Sequence, residues 1–134
     1  MPKFLIVDDS QMFRSVLAKV LKKNWPDAAI IEAADGAQAG VANNLENPDI
    51  ILLDLNMPGR DGYEVIKHIK TDYRKNKAKI VVLSGTDDPA AEGYLTGHVG
   101  VDGFLKKPVN GGKLIAMIQN LLAGTASSDS SIPF

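Results

Sequence analysis

The chain has 134 residues, 45% of them apolar, which suits one domain built around one core. Its 15 basic and 16 acidic residues give a net charge of −1, so no bulk charge points to nucleic acid or to a membrane surface. There is no cysteine, which excludes disulfides, thiolate chemistry and cysteine-ligated zinc.

The amino-terminal stretch MPKFLIVDD is too short and too acidic for a signal peptide. No apolar run approaches the roughly 20 residues that span a bilayer, so a cytoplasmic protein is expected. With Met1 this close to the first strand, no preceding domain is expected. Phe4 to Val7 predicts that strand. Asp8, Asp9 and Ser10 then suit a helix start, and Phe13, Val16, Leu17, Val20 and Leu21 repeat at helical spacing. Lys22 and Lys23 favour the helix end, and Asn24-Trp25-Pro26-Asp27 breaks it. Ala29 to Ala33 predicts a second strand, followed by a turn at Asp35-Gly36, an alanine-rich helix to about Leu45, and a stop at Asn47-Pro48.

Asp49 to Leu55 predicts the third strand. Its apolar run, Ile50 to Leu53, reads as buried on both faces, and Asp54 stands where the strand surfaces. Asn56, Pro58 and Gly59 end it. A third helix is expected from Gly62 to about Asp72, a fourth strand over Ile80 to Leu83 ending at Ser84-Gly85, and a weak fourth helix from Pro89 to about Val99. Gly93 and Gly97 each lower that helix's propensity by about 1 kcal/mol relative to alanine. Gly103 to Lys106 predicts the fifth strand and Gly112 to Leu122 the last helix. From Gly124 the sequence GTASSDSSIPF is small and polar and reads as a flexible tail or linker, so residues 1–123 are expected to form the domain and 124–134 the tail. Alternating strands and amphipathic helices predict an α/β fold with a parallel sheet covered on both faces.

In a parallel sheet the strand ends lie on one edge, where open α/β sheets place their ligand sites. Here that edge collects Asp8 and Asp9 after the first strand, Asp54 after the third, Ser84 after the fourth and Lys107 after the fifth. If the first strand is central and flanked by the third, three carboxylates converge and need a cation. Oxygen ligands without histidine or cysteine favour a hard ion, magnesium or calcium, and magnesium suits so small a site best. A carboxylate beside magnesium can attack phosphorus and form an aspartyl phosphate, with Lys107 and Ser84 each stabilising a phosphoryl oxygen. Taken singly, Asp8 and Asp9 read as helix caps, Ser84 as a turn residue and Lys107 as a surface lysine. Alternation along the strand sends Lys106 and Lys107 to opposite faces, so one of the two enters the site.

With these residues in place, the chain resembles the receiver domain of two-component response regulators over nearly its whole length, Lys3 to about Leu122. The family's acidic pair corresponds to Asp8 and Asp9, its phosphoacceptor to Asp54, and its D-x-x-M-P-x-x-D-G motif to Asp54 through Gly62. Its strand-four hydroxyl corresponds to Ser84. Its lysine before a usually cis proline corresponds to Lys107-Pro108, which selects Lys107 over Lys106. The resemblance implies a doubly wound (βα)5, flavodoxin-like fold with strand order 2-1-3-4-5. It implies magnesium bound by Asp9, Asp54 and the backbone carbonyl of Asn56, with Asp8 acting through water. A phosphohistidine on a histidine kinase or histidine phosphotransfer protein would be the donor. The chain would catalyse its own phosphoryl transfer and autodephosphorylation without being a conventional enzyme. Ser84 and Phe104 would be the switch, altering the face of the fourth helix, fifth strand and last helix that meets a downstream protein partner; Phe104 has a plainer reading as a core aromatic. Asn56 and Thr86 occupy positions that tune hydrolysis of the phosphate. Both are polar and uncharged, so an intermediate phosphate lifetime is expected. Phe104 lacks the hydroxyl that many members carry as tyrosine.

No DNA-binding segment or membrane contact is expected in this chain. Signalling by protein contact follows, as in chemotaxis-type or phosphorelay-type single-domain regulators, with Tyr94, Leu95 and Val99 as candidate contacts. Alternatives are a receiver detached from an output domain and an inactive, interaction-only pseudo-receiver, although none of the acids, the serine or the lysine is lost. A haloacid-dehalogenase-type phosphatase needs an acid where Asn56 stands. In a flavin mononucleotide carrier, Asp8 and Asp9 would repel the phosphate. His68 and His98 are too isolated for a transition-metal site and read as surface residues.

Overall fold

The computed structural model describes residues 2–54, 78–85 and 101–127. Five parallel strands form one sheet in the order β2-β1-β3-β4-β5: β1 Lys3–Val7, β2 Ala29–Ala33, β3 Ile50–Asp54, β4 Lys79–Ser84 and β5 Gly103–Lys106. Three helices lie among the described residues: α1 Gln11–Asn24, α2 Gly36–Glu46 and α3 Gly111–Ser127. The helices expected over 62–72 and 89–99 fall outside the described residues, as do His68, His98, Tyr94, Leu95 and Val99.

The apolar runs that predicted β1, β3 and β4 form the three inner strands because both of their faces need cover. Successive side chains alternate between two cores. Leu5, Val7, Ile51, Leu53, Ile80 and Val82 pack with Ala39 of α2 on one face. Phe4, Ile6, Ile50, Leu52, Val81 and Leu83 pack with Leu17 and Leu21 of α1 and Leu114 and Ile118 of α3 on the other. The helices therefore cover both faces, as expected. Each fully buried Ile or Leu contributes about 1.5–3 kcal/mol of transfer free energy. Asp54 pairs with Leu83 across the β3–β4 register, so its position along the sheet is fixed by the residues before it.

Local chemistry starts and stops the helices. The Ser10 hydroxyl accepts from Phe13 N–H at 3.2 Å, capping α1, and Lys22 Nζ donates to Ala28 O at 2.7 Å beyond its end. Asp35 accepts from Gln38 N–H at 2.8 Å, while the Gln38 side chain accepts from Ala34 N–H at 2.8 Å, so α2 begins with a reciprocal cap. Asn47 ends α2 in the left-handed region at φ 51°, a conformation asparagine tolerates. α3 runs to Ser127, past the expected end at Leu122; Gly124 is carried inside the last turns.

Two aspartates at the other edge of the sheet extend the strand ladders with side chains. Asp49 Oδ2 accepts from Lys3 N–H at 2.8 Å, and Asp102 Oδ2 accepts from Ile80 N–H at 2.9 Å. Gly103 opens β5 because a Cβ there would collide with the Met117 sulfur of α3.

Candidate functional site

The site lies at the carboxyl ends of β1, β3, β4 and β5. Asp8 follows Val7 directly, and its backbone is held on both sides. Its N–H donates to Ala33 O at 3.1 Å, and its carbonyl accepts from the Arg14 guanidinium at 2.7 Å. Arg14 Nε also meets Glu32 Oε1 at 2.9 Å, so α1, β1 and β2 are joined at this corner. Asp8 is 2% exposed. Its Oδ1 accepts from Ser10 N–H at 2.8 Å, whereas its buried Oδ2 has no hydrogen-bond partner among the described residues.

Asp54, 3% exposed, ends β3 beside it. Single oxygens of Asp8, Asp9 and Asp54 lie within 4.8 Å of one another, with Asp9 exposed and the other two buried. Lys107 Nζ stands 3.2 Å from Asp54 Oδ1 and 3.7 Å from Asp8 Oδ2. Burial pushes the Asp8 carboxyl up from its ordinary pKa. The Ser10 N–H opposes that rise, Asp54 adds to it, Lys107 opposes it and Asp9 adds to it again. Three clustered carboxylates, two of them paired with the Lys107 ammonium, form a donor set that fits a hard cation, and among the described residues Asp8, Asp9 and Asp54 are able to hold one.

Ser84 is fully buried at the end of β4, and its carbonyl accepts from Lys107 N–H at 2.7 Å. The Lys107-Pro108 peptide bond is cis. Lys106 is exposed on β5, while the neighbouring Lys107 turns into the acidic corner, which separates the two lysines that alternation alone left open. Phe104 is half-buried against the core face that carries Leu5, Val7 and Val82. The structure thus brings together Asp8, Asp9, Asp54, Ser84 and Lys107; Asn56 and Thr86 lie outside the described residues.

Two residues of the corner carried no functional signal in the sequence. Arg14 is the one cation on the first turn of α1, six residues after Asp8, and Glu32 is the one charge in β2. An opposite-charge pair on adjacent elements is the signal that points to their contact. Phe13 matched the helical repeat, yet the Lys107 ammonium lies over its ring at 4.5 Å from the centroid.

The model of the response regulator receiver domain matches residues 4–119. The chain is 34% identical over 122 residues to the transcriptional regulatory protein GlnL of Bacillus subtilis, covering 89% of this chain and 37% of that protein. It is 35% identical over 123 residues to ResD of the same organism, covering 90% and 48%. The chain spans about a third to about half the length of the curated relatives it matches. Among solved structures, the chemotaxis protein CheY4 of Vibrio cholerae superposes with a TM-score of 0.81 at 29% identity, covering 90% of this chain and 98% of that one. The receiver domain of the Francisella response regulator 1452 gives a TM-score of 0.81 at 27% identity, covering 93% and 99%. The family match begins within β1, ends within α3 and encloses every strand-end residue of the acidic corner, so the chain belongs to the response regulator receiver domain family.

Proposed function

We propose that Asp54 is the phosphoacceptor of a two-component or phosphorelay system, taking its phosphoryl group from a phosphohistidine on a histidine kinase or histidine phosphotransfer protein. The observation that carries this reading is the Lys107 ammonium 3.2 Å from Asp54 Oδ1, in a corner where Asp8 and Asp9 supply further oxygens within 4.8 Å. An Asp54 carboxylate oxygen attacks phosphorus. The O–P bond forms as the P–N bond breaks, and the imidazole leaves with that electron pair and takes up a proton. Lys107 stabilises one phosphoryl oxygen through its ammonium, and the Ser84 hydroxyl donates to another. Magnesium, when bound, supplies charge neutralisation at the phosphoryl oxygens. Asp9, Asp54 and the Asn56 carbonyl are its proposed holders, with Asp8 acting through water.

Ser84 and Phe104 are the proposed switch. New charge-assisted bonds to the phosphoryl group draw Ser84 inward, and Phe104 follows into the space it leaves. The face to which β5 and α3 contribute then presents a different surface to a downstream protein partner. Asn56 and Thr86 set how fast water removes the phosphoryl group. We read residues 1–123 as the signalling unit, with the last turn of α3 running on into the 124–134 tail or linker, and place the protein in the cytoplasm beside its phosphohistidine donor. Among the described residues no helix is long and apolar enough to cross a membrane. The greater length of the curated relatives supports a second reading, in which the same unit serves an output domain of a larger regulator. Retention of both acids, Ser84 and Lys107 argues against an interaction-only pseudo-receiver.

The test is incubation with magnesium and acetyl phosphate, followed by intact mass. A gain of one phosphoryl group, absent in Asp54→Asn and absent without magnesium, is expected. No gain in the unmodified protein overturns the phosphoacceptor reading.

A further inference from the structure

Among the described residues, the Lys107 ammonium has neighbours of two kinds, carboxylates and a ring. Asp54 Oδ1 and Asp8 Oδ2 lie at 3.2 and 3.7 Å, and the Phe13 ring lies beneath it at 4.5 Å from the centroid. The ring's negative face attracts the cation without accepting one of its N–H bonds in a conventional hydrogen bond. Phe13 is itself fixed from the site. Its N–H donates to the Ser10 hydroxyl, and the Ser10 N–H donates to Asp8 Oδ1. Its side chain packs on the core that carries Leu17 and Leu114. The ring therefore occupies a set position relative to the Asp8 carboxylate, at a distance governed by the α1 cap.

We infer that Phe13 is a positioning residue for phosphoryl transfer, holding the Lys107 ammonium over its ring so that the N–H bonds stay directed at the carboxylate side of the site. This deepens the phosphoacceptor reading of Asp54 and rests on it. A lysine chain has four rotatable carbon–carbon bonds, and with 28% of its side chain exposed Lys107 has solvent to swing into. When Asp54 gains a phosphoryl group, the ammonium must pass from a carboxylate oxygen to a phosphoryl oxygen. An anchor made of carboxylates alone would compete for the same N–H bonds. An anchor made of a ring does not.

Three variants separate the ring's electrons from its bulk: Phe13→Leu, Phe13→Tyr, and replacement of Phe13 by 3,4,5-trifluorophenylalanine, which keeps the shape and drains the ring face. Two readouts are used. The initial rate of Asp54 phosphorylation by acetyl phosphate with saturating magnesium reports the chemistry. The chemical shift of the Lys107 ε-methylene protons reports the stacking directly and needs no phosphoryl donor. Phe13→Leu and the fluorinated ring are expected to slow the initial rate about 2- to 30-fold. Phe13→Tyr is expected to retain most of it. The ε-methylene protons should be shifted upfield in the unmodified protein and in Phe13→Tyr, and that shift should be lost in Phe13→Leu.

An unmodified rate with the fluorinated ring overturns the inference, as does the absence of an upfield shift in the unmodified protein. Equal slowing by leucine and tyrosine also overturns it, because bulk rather than the ring face would then be at work. If the unmodified protein takes up no phosphoryl group, the phosphoacceptor reading falls instead, and the shift data show separately whether the ring holds the lysine.

Discussion

Replacing Asp8 by asparagine should stabilise the metal-free protein, although it removes a partner from Lys107. The magnitude follows from the distances. At an effective dielectric constant of about 20, the Lys107 ammonium 3.7 Å away attracts the Asp8 carboxylate by about 4.5 kcal/mol. A carboxylate oxygen 4.8 Å away repels it by about 3.5 kcal/mol, and closer approach raises that figure. Asp54 is buried and exerts most of that repulsion; Asp9 is exposed, and solvent screens roughly half of its share. Repulsion then exceeds attraction by about 1 kcal/mol. The buried Oδ2, which accepts no hydrogen bond among the described residues, adds a desolvation cost on the order of 1 kcal/mol or more. Asp8→Asn should therefore gain about 1–3 kcal/mol in chelator at neutral pH, a rise of about 4–12 °C in Tm. The pH dependence has a definite sign. Burial raises the Asp8 pKa in the folded state, so the native protein binds the extra proton and loses stability as pH climbs from the unfolded value, about 4, through the folded one. The advantage of the variant should thus vanish in acid and grow with pH until it levels off. Saturating magnesium should reverse the order by favouring the wild type. Differential scanning calorimetry of both proteins, with chelator and with magnesium across the acid range, measures all of this. A variant no more stable than wild type in chelator at neutral pH would refute the reasoning.

Other outcomes follow from the same structure. Gly103→Ala should cost about 1–3 kcal/mol in urea unfolding, because the new Cβ meets the Met117 sulfur. Adding Met117→Ala should recover part of that loss beyond the additive expectation, and strict additivity would count against the contact. Asp35→Ala should cost about 1 kcal/mol by removing the acceptor for Gln38 N–H at the start of α2, read as a lower urea midpoint at constant m-value. Arg14→Met should cost about 1.5–3 kcal/mol, because it removes the charged donor to the Asp8 carbonyl. Glu32→Gln should cost under about 1 kcal/mol, since that pair is partly exposed. Equal losses for the two would place the energy in the ion pair instead.

The strands were legible because burial on both faces demands unbroken apolar runs, and Ile50–Leu53 is such a run. The strand-end acids were legible for the complementary reason: a charge directly after such a run has to surface at the edge. Side-chain bonds between distant residues left no comparable trace. The Asp49 bond to Lys3 N–H spans 46 residues, and it places Asp49 just ahead of β3 rather than inside the strand expected from Asp49. Asn43, which no sequence motif singled out, is 2% exposed. Its burial follows from the rotation of α2, which places it one turn after Ala39 on the same face. The last helix passes Leu122 because glycine at position 124 weakens a helix by only about 1 kcal/mol, too little to stop one already formed. The choice between Lys106 and Lys107 needed an actual strand end, since alternation says that two neighbours diverge but not which of them turns inward.

The backbone bonds around Asp54 divide the corner into two mechanical halves. Asp8 is clamped through its N–H to β2 and through its carbonyl to α1, so that half behaves as the stationary jaw of a vise. Ser84 and Lys107 are joined to each other by a 2.7 Å backbone bond, so a displacement of one drags the other along. On the phosphoacceptor reading proposed above, a group added to Asp54 would meet one half tied to α1 and β2 and another in which Ser84 and Lys107 are tied to each other. On that reading the backbone bond would couple Ser84 on β4 to the residue that follows β5, while the Phe13 ring keeps the Lys107 ammonium in contact with α1.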